Sequence, residues 1–274
     1  MKRRVATAAV LVPVALAVIY WAPLALFLAC ISAVILLALR EFSRLLGSHG
    51  ARVRPVSYAA AALMPWLMAF QPSLLPAALV LTLLAVLAAS LLIADPAGGI
   101  PEATGNLFGI VYISVPLSLL LLFRPDPGPA WSPRPGHEML AVLLAVWTSD
   151  TCAYFAGKAF GRHHLLPRLS PGKTLEGFAA GLAGPVLLML FAGPALLPGR
   201  SAGSCAAAGA LIAVAGMGGD LFESLLKRSA GVKDSSTLLP GHGGVLDRID
   251  SLLTAFPAWY LLETLLESGS GRPC

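Results

Sequence analysis

Apolar runs alternate with short polar stretches along the whole chain, at about residues 5–22, 23–39, 56–70, 74–93, 106–123, 138–156, 177–197, 202–219 and 249–262. Most of these runs approach the roughly 20 residues that a helix needs to cross about 30 Å of hydrocarbon, so the pattern predicts about nine transmembrane helices. The first run follows Met1-Lys2-Arg3-Arg4 and has the small residues Ala15 and Ala17 at the spacing of a leader cleavage site. A second run begins at once, which favours a retained helix over a signal peptide. Only Gln71-Pro72-Ser73 separates the third run from the fourth, predicting a tight hairpin.

The polar stretches differ in kind. Residues 40–55 carry Arg40, Arg44, Arg52 and Arg54, a basic loop in which residues 41–46 are expected to form a short interfacial helix. Asp95, Gly98, Gly99 and Glu102 mark an acidic loop, and the proline-rich residues 124–137 a surface connection. The fold expected is therefore all-α and polytopic. Residues 1–137 would supply about five spans, and residues 138–274 a four-helix bundle carrying polar motifs at 150–177 and 216–250. Gly181, Gly184 and Pro185 in the seventh run, and the alanines and glycines of the eighth, would let backbones approach closely in lipid and place these two helices centrally.

Composition agrees and excludes a soluble protein: 57% of residues are hydrophobic and only 12% charged, against about a quarter charged in soluble domains. Cys30, Cys152, Cys205 and Cys274 include no CxxC pair, which argues against a zinc site or a disulfide framework. With the N-terminus in the cytoplasm, all of the 19 lysines and arginines except Arg124, Arg134, Arg200 and Arg272 fall inside. The positive-inside rule thus orients the chain and puts both polar motifs on the cytoplasmic face.

Candidate chemistry concentrates in residues 216–250. Asp220, Ser224 and Lys227 share one helical face with Glu223 at its margin, and Asp247, Asp250 and Ser251, at i, i+3 and i+4, share another at the start of the last run. Paired carboxylates without thiolates or a histidine set suit magnesium, which keeps waters and is commonly shared with substrate phosphates. Lys227, Arg228, Lys233 and Arg248 suit the phosphates, and Pro240-Gly241-His242-Gly243-Gly244 can turn backbone N–H groups toward an anion. Asp150 lies within an apolar run, where a carboxylate is costly and function is the default reading.

Structural readings stand beside these. Basic residues at cytoplasmic helix ends also serve as topology determinants. Arg248 between Asp247 and Asp250 can be a helix-start ion pair, and His242 a solvated turn residue. The pair His163-His164 lacks a third ligand and reads as surface. An ion-coupled transporter of an anionic solute also uses intramembrane carboxylates and broken helices. Here, however, the polar residues gather at one face, and no repeat relates the two halves.

Ser224, Leu226, Lys227, Arg228, Lys233, Asp234, Ser236, Leu239, Pro240, His242, Gly243, Gly244, Asp247, Arg248 and Asp250 together resemble the signature of the phosphatidate cytidylyltransferase (CDP-diacylglycerol synthase) family. Residues 150–157 and 170–177 are similar to that family's other cytoplasmic motif, with Cys152 where glycine is expected and Leu175 where an aromatic is common. The resemblance is close over the C-terminal half and one of hydropathy over the first 140 residues. It implies transfer of CMP from CTP to phosphatidic acid, with CTP, lipid and bilayer as partners, no nucleic acid, and a homodimer in the inner membrane. CTP-dependent action on another lipid phosphate is the neighbouring alternative.

The roles it implies are Asp220, Asp247, Lys227 and Arg248 in catalysis and Asp220, Asp247 and Asp250 on magnesium, alone or with a second cation. Asp150, Lys173, Ser224, Arg228, Lys233, His242, Gly243 and Gly244 would bind substrate.

Overall fold

The structure is a computed structural model and describes residues 2–47, 53–92, 96–124, 136–238, 241 and 243–269. It is almost wholly helical: α1 (Lys2–Trp21), α2 (Leu24–Leu45), α3 (Val53–Phe70), α4 (Leu75–Ser90), α5 (Pro96–Gly109), α6 (Val115–Leu119), α7 (Gly136–Phe160), α8 (Leu175–Leu196), α9 (Ala202–Ser229), α10 (Leu246–Ile249) and α11 (Leu252–Gly269). Among the described residues, six helical stretches are long and apolar enough to cross a membrane: Leu24–Leu45, Pro72–Ser90, Gly98–Phe123, His137–Phe160, Leu175–Leu196 and Ala202–Ser229. The chain is a polytopic membrane protein.

The helices form two compact units: Met1–Leu121 with Leu226–Ile249, and Leu122–Leu225 with Asp250–Cys274. Residues 226–249, expected within the C-terminal bundle, thus cluster with the N-terminal helices.

In the first unit α2 buries Phe27, Leu28, Ile35, Leu39 and Phe42, and α3 packs on it. Polar links join them where lipid offers no water: the Ser32 hydroxyl donates to Ala62 O at 2.8 Å, and Trp66 Nε1 donates to Ser32 Oγ at 3.1 Å. The expected hairpin is present, its turn a short 3-10 segment at Pro72–Leu74, with proline in the first turn of α4 where no N–H is needed. One apolar side of α4, with Val80, Leu81 and Leu84 more than half exposed, is suited to hydrocarbon.

Two expectations for this unit change. The stretch holding Gly98, Gly99 and Glu102 is helical, because Pro96 is pre-set for a helix start; Asp95 lies outside the described residues. Residues 41–45 form no separate interfacial helix but complete α2, with Glu41 buried.

In the second unit α7, α8 and α9 lie close because small residues face their neighbours. A Cβ on Gly181 would meet Ala153 Cβ at 3.1 Å and Ser149 O at 3.2 Å, and one on Gly209 would meet Pro185 O at 2.6 Å. The expected close packing of the seventh and eighth runs is therefore observed. Cys152 has its sulfur against Gly184, which leaves room for a side chain larger than glycine at 152. One element departs from pure helix: β1 (His164–Leu166) and β2 (Ser170–Thr174) form a small antiparallel hairpin, pairing His164 with Thr174 and Leu166 with Ser170.

Candidate active site

In the second unit the hairpin is anchored before it presents its lysine. The Thr174 hydroxyl accepts from Gly177 N–H at 3.1 Å and caps α8. Glu176 accepts from the Arg162 and His163 N–H groups at 3.1 and 3.3 Å, and lies 2.6 Å from His163 Nδ1. A Cβ on Gly177 would meet Ala153 O at 2.8 Å, so glycine there lets the α8 start sit against α7. From this base Lys173 on β2 reaches Asp220 on α9, with Nζ 2.8 Å from Oδ2. The two residues line a cleft of about 280 Å³ together with Asp150, Tyr154, Thr174 and Met217. Asp150 and Lys173, from the two segments of the 150–177 motif, thus border one cavity with Asp220 of the 216–250 motif.

Asp220 also belongs to a cluster of acids. One carboxylate oxygen from each of Asp220, Glu223 and Asp250 lies within 4.8 Å of the others. The first two are one helical turn apart on α9. Asp250 is brought to them where Gly219 touches its backbone, since a Cβ at 219 would come 2.5 Å from Asp250 O. Ser251 N–H donates to Asp250 Oδ1 at 2.7 Å. Like charges this close are unfavourable without compensation, and hard carboxylate oxygens from three side chains fit a divalent cation such as magnesium. Glu223, fully buried, joins from the margin of the face that Asp220 and Ser224 share, and its i+3 spacing from Asp220 is the signal in the sequence that places it there.

The first unit holds a second, differently built centre. Lys227 Nζ donates to Asp247 Oδ1 at 2.6 Å, while Asp247 Oδ2 accepts from Ser235 N–H at 3.0 Å, Ser235 Oγ at 2.8 Å and Gly244 N–H at 2.7 Å. Burial acts to raise the Asp247 carboxyl, but the Lys227 hydrogen bond, the Gly244 N–H, the lysine's charge and the Ser235 hydroxyl outweigh it and hold the group below its ordinary value. Asp247, expected on the cation, has its oxygens engaged by protein donors. The glycine turn has the backbone foreseen for it, with φ of +79° at both Gly241 and Gly243. The Gly244 N–H serves Asp247 instead of an external anion.

The remaining candidates separate by exposure. Ser224 is buried on α9. Arg228, Lys233 and Arg248 are exposed, and Arg228 Nη1 donates to Val232 O at 3.2 Å. His242 lies outside the described residues. Glu41 was missed altogether: from α2 it joins the centre around Asp247 through Ser235, Ser236, Val245 and Leu246.

Comparison with known proteins gives these centres a context. The profile of the cytidylyltransferase family matches residues 2–266. The phosphatidate cytidylyltransferase of Pseudomonas aeruginosa is 38% identical over 282 residues, covering the whole of both chains. Those of Haemophilus influenzae and Thermotoga maritima are 47% identical over 124 residues and 38% over 178, covering 43% and 63% of each chain.

Proposed function

The chain belongs to the cytidylyltransferase family, and on that premise we propose that it transfers CMP from CTP to phosphatidic acid, giving CDP-diacylglycerol and pyrophosphate. One observation carries the reading: the acid cluster Asp220, Glu223 and Asp250 shares Asp220 with a cleft that also holds Lys173 and Asp150. Carboxylates and a lysine side by side suit a polyphosphate and its cation better than a neutral or purely apolar ligand.

In the reaction a phosphate oxygen of the lipid bonds to the α-phosphorus of CTP as the bond from that phosphorus to the β-phosphate bridging oxygen breaks. The nucleophile is a monoester phosphate already largely ionised near neutral pH, so no strong general base is needed. What the chain must supply is alignment and positive charge.

Asp220, Glu223 and Asp250 would hold magnesium, and a second cation is compatible with so acidic a cluster. When bound, the cation neutralises phosphate oxygens. Lys227 and Arg248 would act on the reacting phosphates, and Arg228 and Lys233, exposed near them in sequence, would gather the triphosphate. Asp150, Lys173 and Ser224 would order substrate, with His242, Gly243 and Gly244 toward the nucleotide. Asp247 would hold Lys227; its expected ligation of the cation requires Oδ1 to exchange the ammonium for the ion. Because one substrate is a lipid and the other soluble, the site belongs at the cytoplasmic boundary of the inner membrane. A homodimer remains part of the proposal.

The test is pyrophosphate release by the purified protein in detergent with CTP, magnesium and phosphatidic acid, run beside Asp220→Asn and Asp247→Asn. CTP-dependent release in the parent and its loss in both variants, with folding intact, would support the reaction and the roles. Release with a different lipid phosphate alone would move the lipid substrate to another class. Absence of both turnover and CTP binding would sink the reading.

A further inference from the structure

Glu41 sits near the end of α2, only 2% exposed, and its carboxylate is fully enclosed by donors far away in sequence. Oε1 accepts from Ser236 Oγ at 2.6 Å and Val245 N–H at 3.0 Å; Oε2 accepts from Ser235 Oγ at 2.9 Å and Leu246 N–H at 2.8 Å. Each oxygen therefore takes one hydroxyl and one backbone N–H. These four groups come from the two ends of the segment that builds the Asp247 centre. The Ser235 hydroxyl also lies 2.8 Å from Asp247 Oδ2, and its single proton can serve only one of the two carboxylates at a time. A Cβ on Gly244 would run into Glu41 and Ser235, so the glycine turn is closed around this carboxylate.

We infer that Glu41 is a positioning residue for the transfer reaction: it clamps residues 235–236 to residues 245–246 and so fixes Asp247, which in turn fixes the Lys227 ammonium. The inference rests on the reaction proposed above. A side chain needed only to fill space here would be apolar, since burying a carboxylate is costly unless its hydrogen bonds are all made. A charge with three donors of its own and a fourth, the Ser235 hydroxyl, shared with Asp247 is instead suited to holding two loop ends at one separation, as outer-shell groups hold the residues that touch substrate.

Glu41→Gln tests it with little change of shape. Whichever way the amide is turned, its NH2 faces a backbone N–H, from Val245 or from Leu246, and that N–H cannot reverse its polarity. Ser236→Ala is the milder companion, removing one hydroxyl from Oε1. For each protein in detergent, kcat and KM for CTP are measured with phosphatidic acid, beside the unfolding temperature and the hydrogen exchange of peptides covering 243–248.

The inference expects Glu41→Gln to lower kcat roughly ten- to a hundred-fold, with KM changed less than about three-fold. The unfolding temperature should be nearly parental and exchange at 245–246 faster. Ser236→Ala should lose a few-fold in kcat. Parental kcat in Glu41→Gln overturns the inference. So does a fall in kcat that tracks the unfolding temperature across both variants, since that is a purely structural role. A parent that releases no pyrophosphate defeats the proposed reaction instead. The exchange data then decide the clamp alone, and unchanged exchange at 245–246 in Glu41→Gln rejects it.

Discussion

The two acidic centres use the same side chain for opposite purposes. Around Glu41 and Asp247, carboxylate oxygens are met by hydroxyls, backbone N–H groups and the Lys227 ammonium at 2.6–3.0 Å. Around Asp220, Glu223 and Asp250, carboxylate oxygens are gathered within 4.8 Å of one another, beside a lysine that borders a cleft. Carboxylates held apart by fixed protein donors give geometry, whereas carboxylates that crowd one another, even with Lys173 on Asp220 and Ser251 N–H on Asp250, are suited to share a cation. Residue type alone does not separate the two cases. The distance from one carboxylate to the next does.

The widest break in the comparison is expected at Asp220. Asp220→Asn should lower kcat by roughly 10²–10³-fold and weaken magnesium binding measured by calorimetry; a variant that keeps both would remove the acid cluster from the reaction. Next comes Lys227→Met, which leaves the Asp247 charge, with its side chain 5% exposed, without its ammonium. Loss of one partner from a buried pair costs about 3–5 kcal/mol, readable by denaturant unfolding in detergent, and Lys227→Met with Asp247→Asn should recover part of it, because the amide oxygen still accepts from the Ser235 and Gly244 N–H groups without the buried charge. Glu223→Gln should reduce apparent magnesium affinity by roughly 10- to 100-fold with little change in stability, seen as a shifted magnesium titration of activity.

Two smaller effects sharpen the picture. The Asp247 carboxyl is held below its ordinary 3.8 in the folded protein. Its contribution to stability is therefore complete above 3.8 and lost as pH falls through the lower folded value. Acid unfolding followed by circular dichroism should be steeper below 3.8 in the parent than in Asp247→Asn. Gly209→Ala puts a methyl group 2.6 Å from Pro185 O and 3.0 Å from Met189, which should destabilise the helix pair by about 1–3 kcal/mol while leaving magnesium affinity parental.

Much of the site could be read in the sequence because the chain is so apolar. Asp150, Lys173, Asp220 and Asp250 stand out against hydrophobic runs, and the helical spacing of 220 and 223 places Glu223 beside its neighbour. The helical class and the tight turn at Pro72 follow from the same contrast. Glu41 was hidden for a physical reason. In EFSRL it has the context of a helix end at the membrane surface, and its donors lie 194 to 205 residues further on. Periodicity reports faces of one helix and says nothing about such a partner. The hairpin at 164–174 was equally hidden, because glycine and proline punctuation marks a loop without telling which of its strands pair.

The enclosure of Glu41 also sets a schedule for biogenesis. A ribosome adding about 5–20 residues per second delivers Ser235 roughly 10–40 s after Glu41. Throughout that interval the carboxylate can be stabilised only by water or headgroups, because hydrocarbon is too costly for it. The end of α2 must therefore stay at the aqueous boundary while the later helices insert, and it becomes dry only when the 235–246 segment folds over it. A chain interrupted before Ser235 would hold the end of its second helix without the four groups that answer the Glu41 carboxylate.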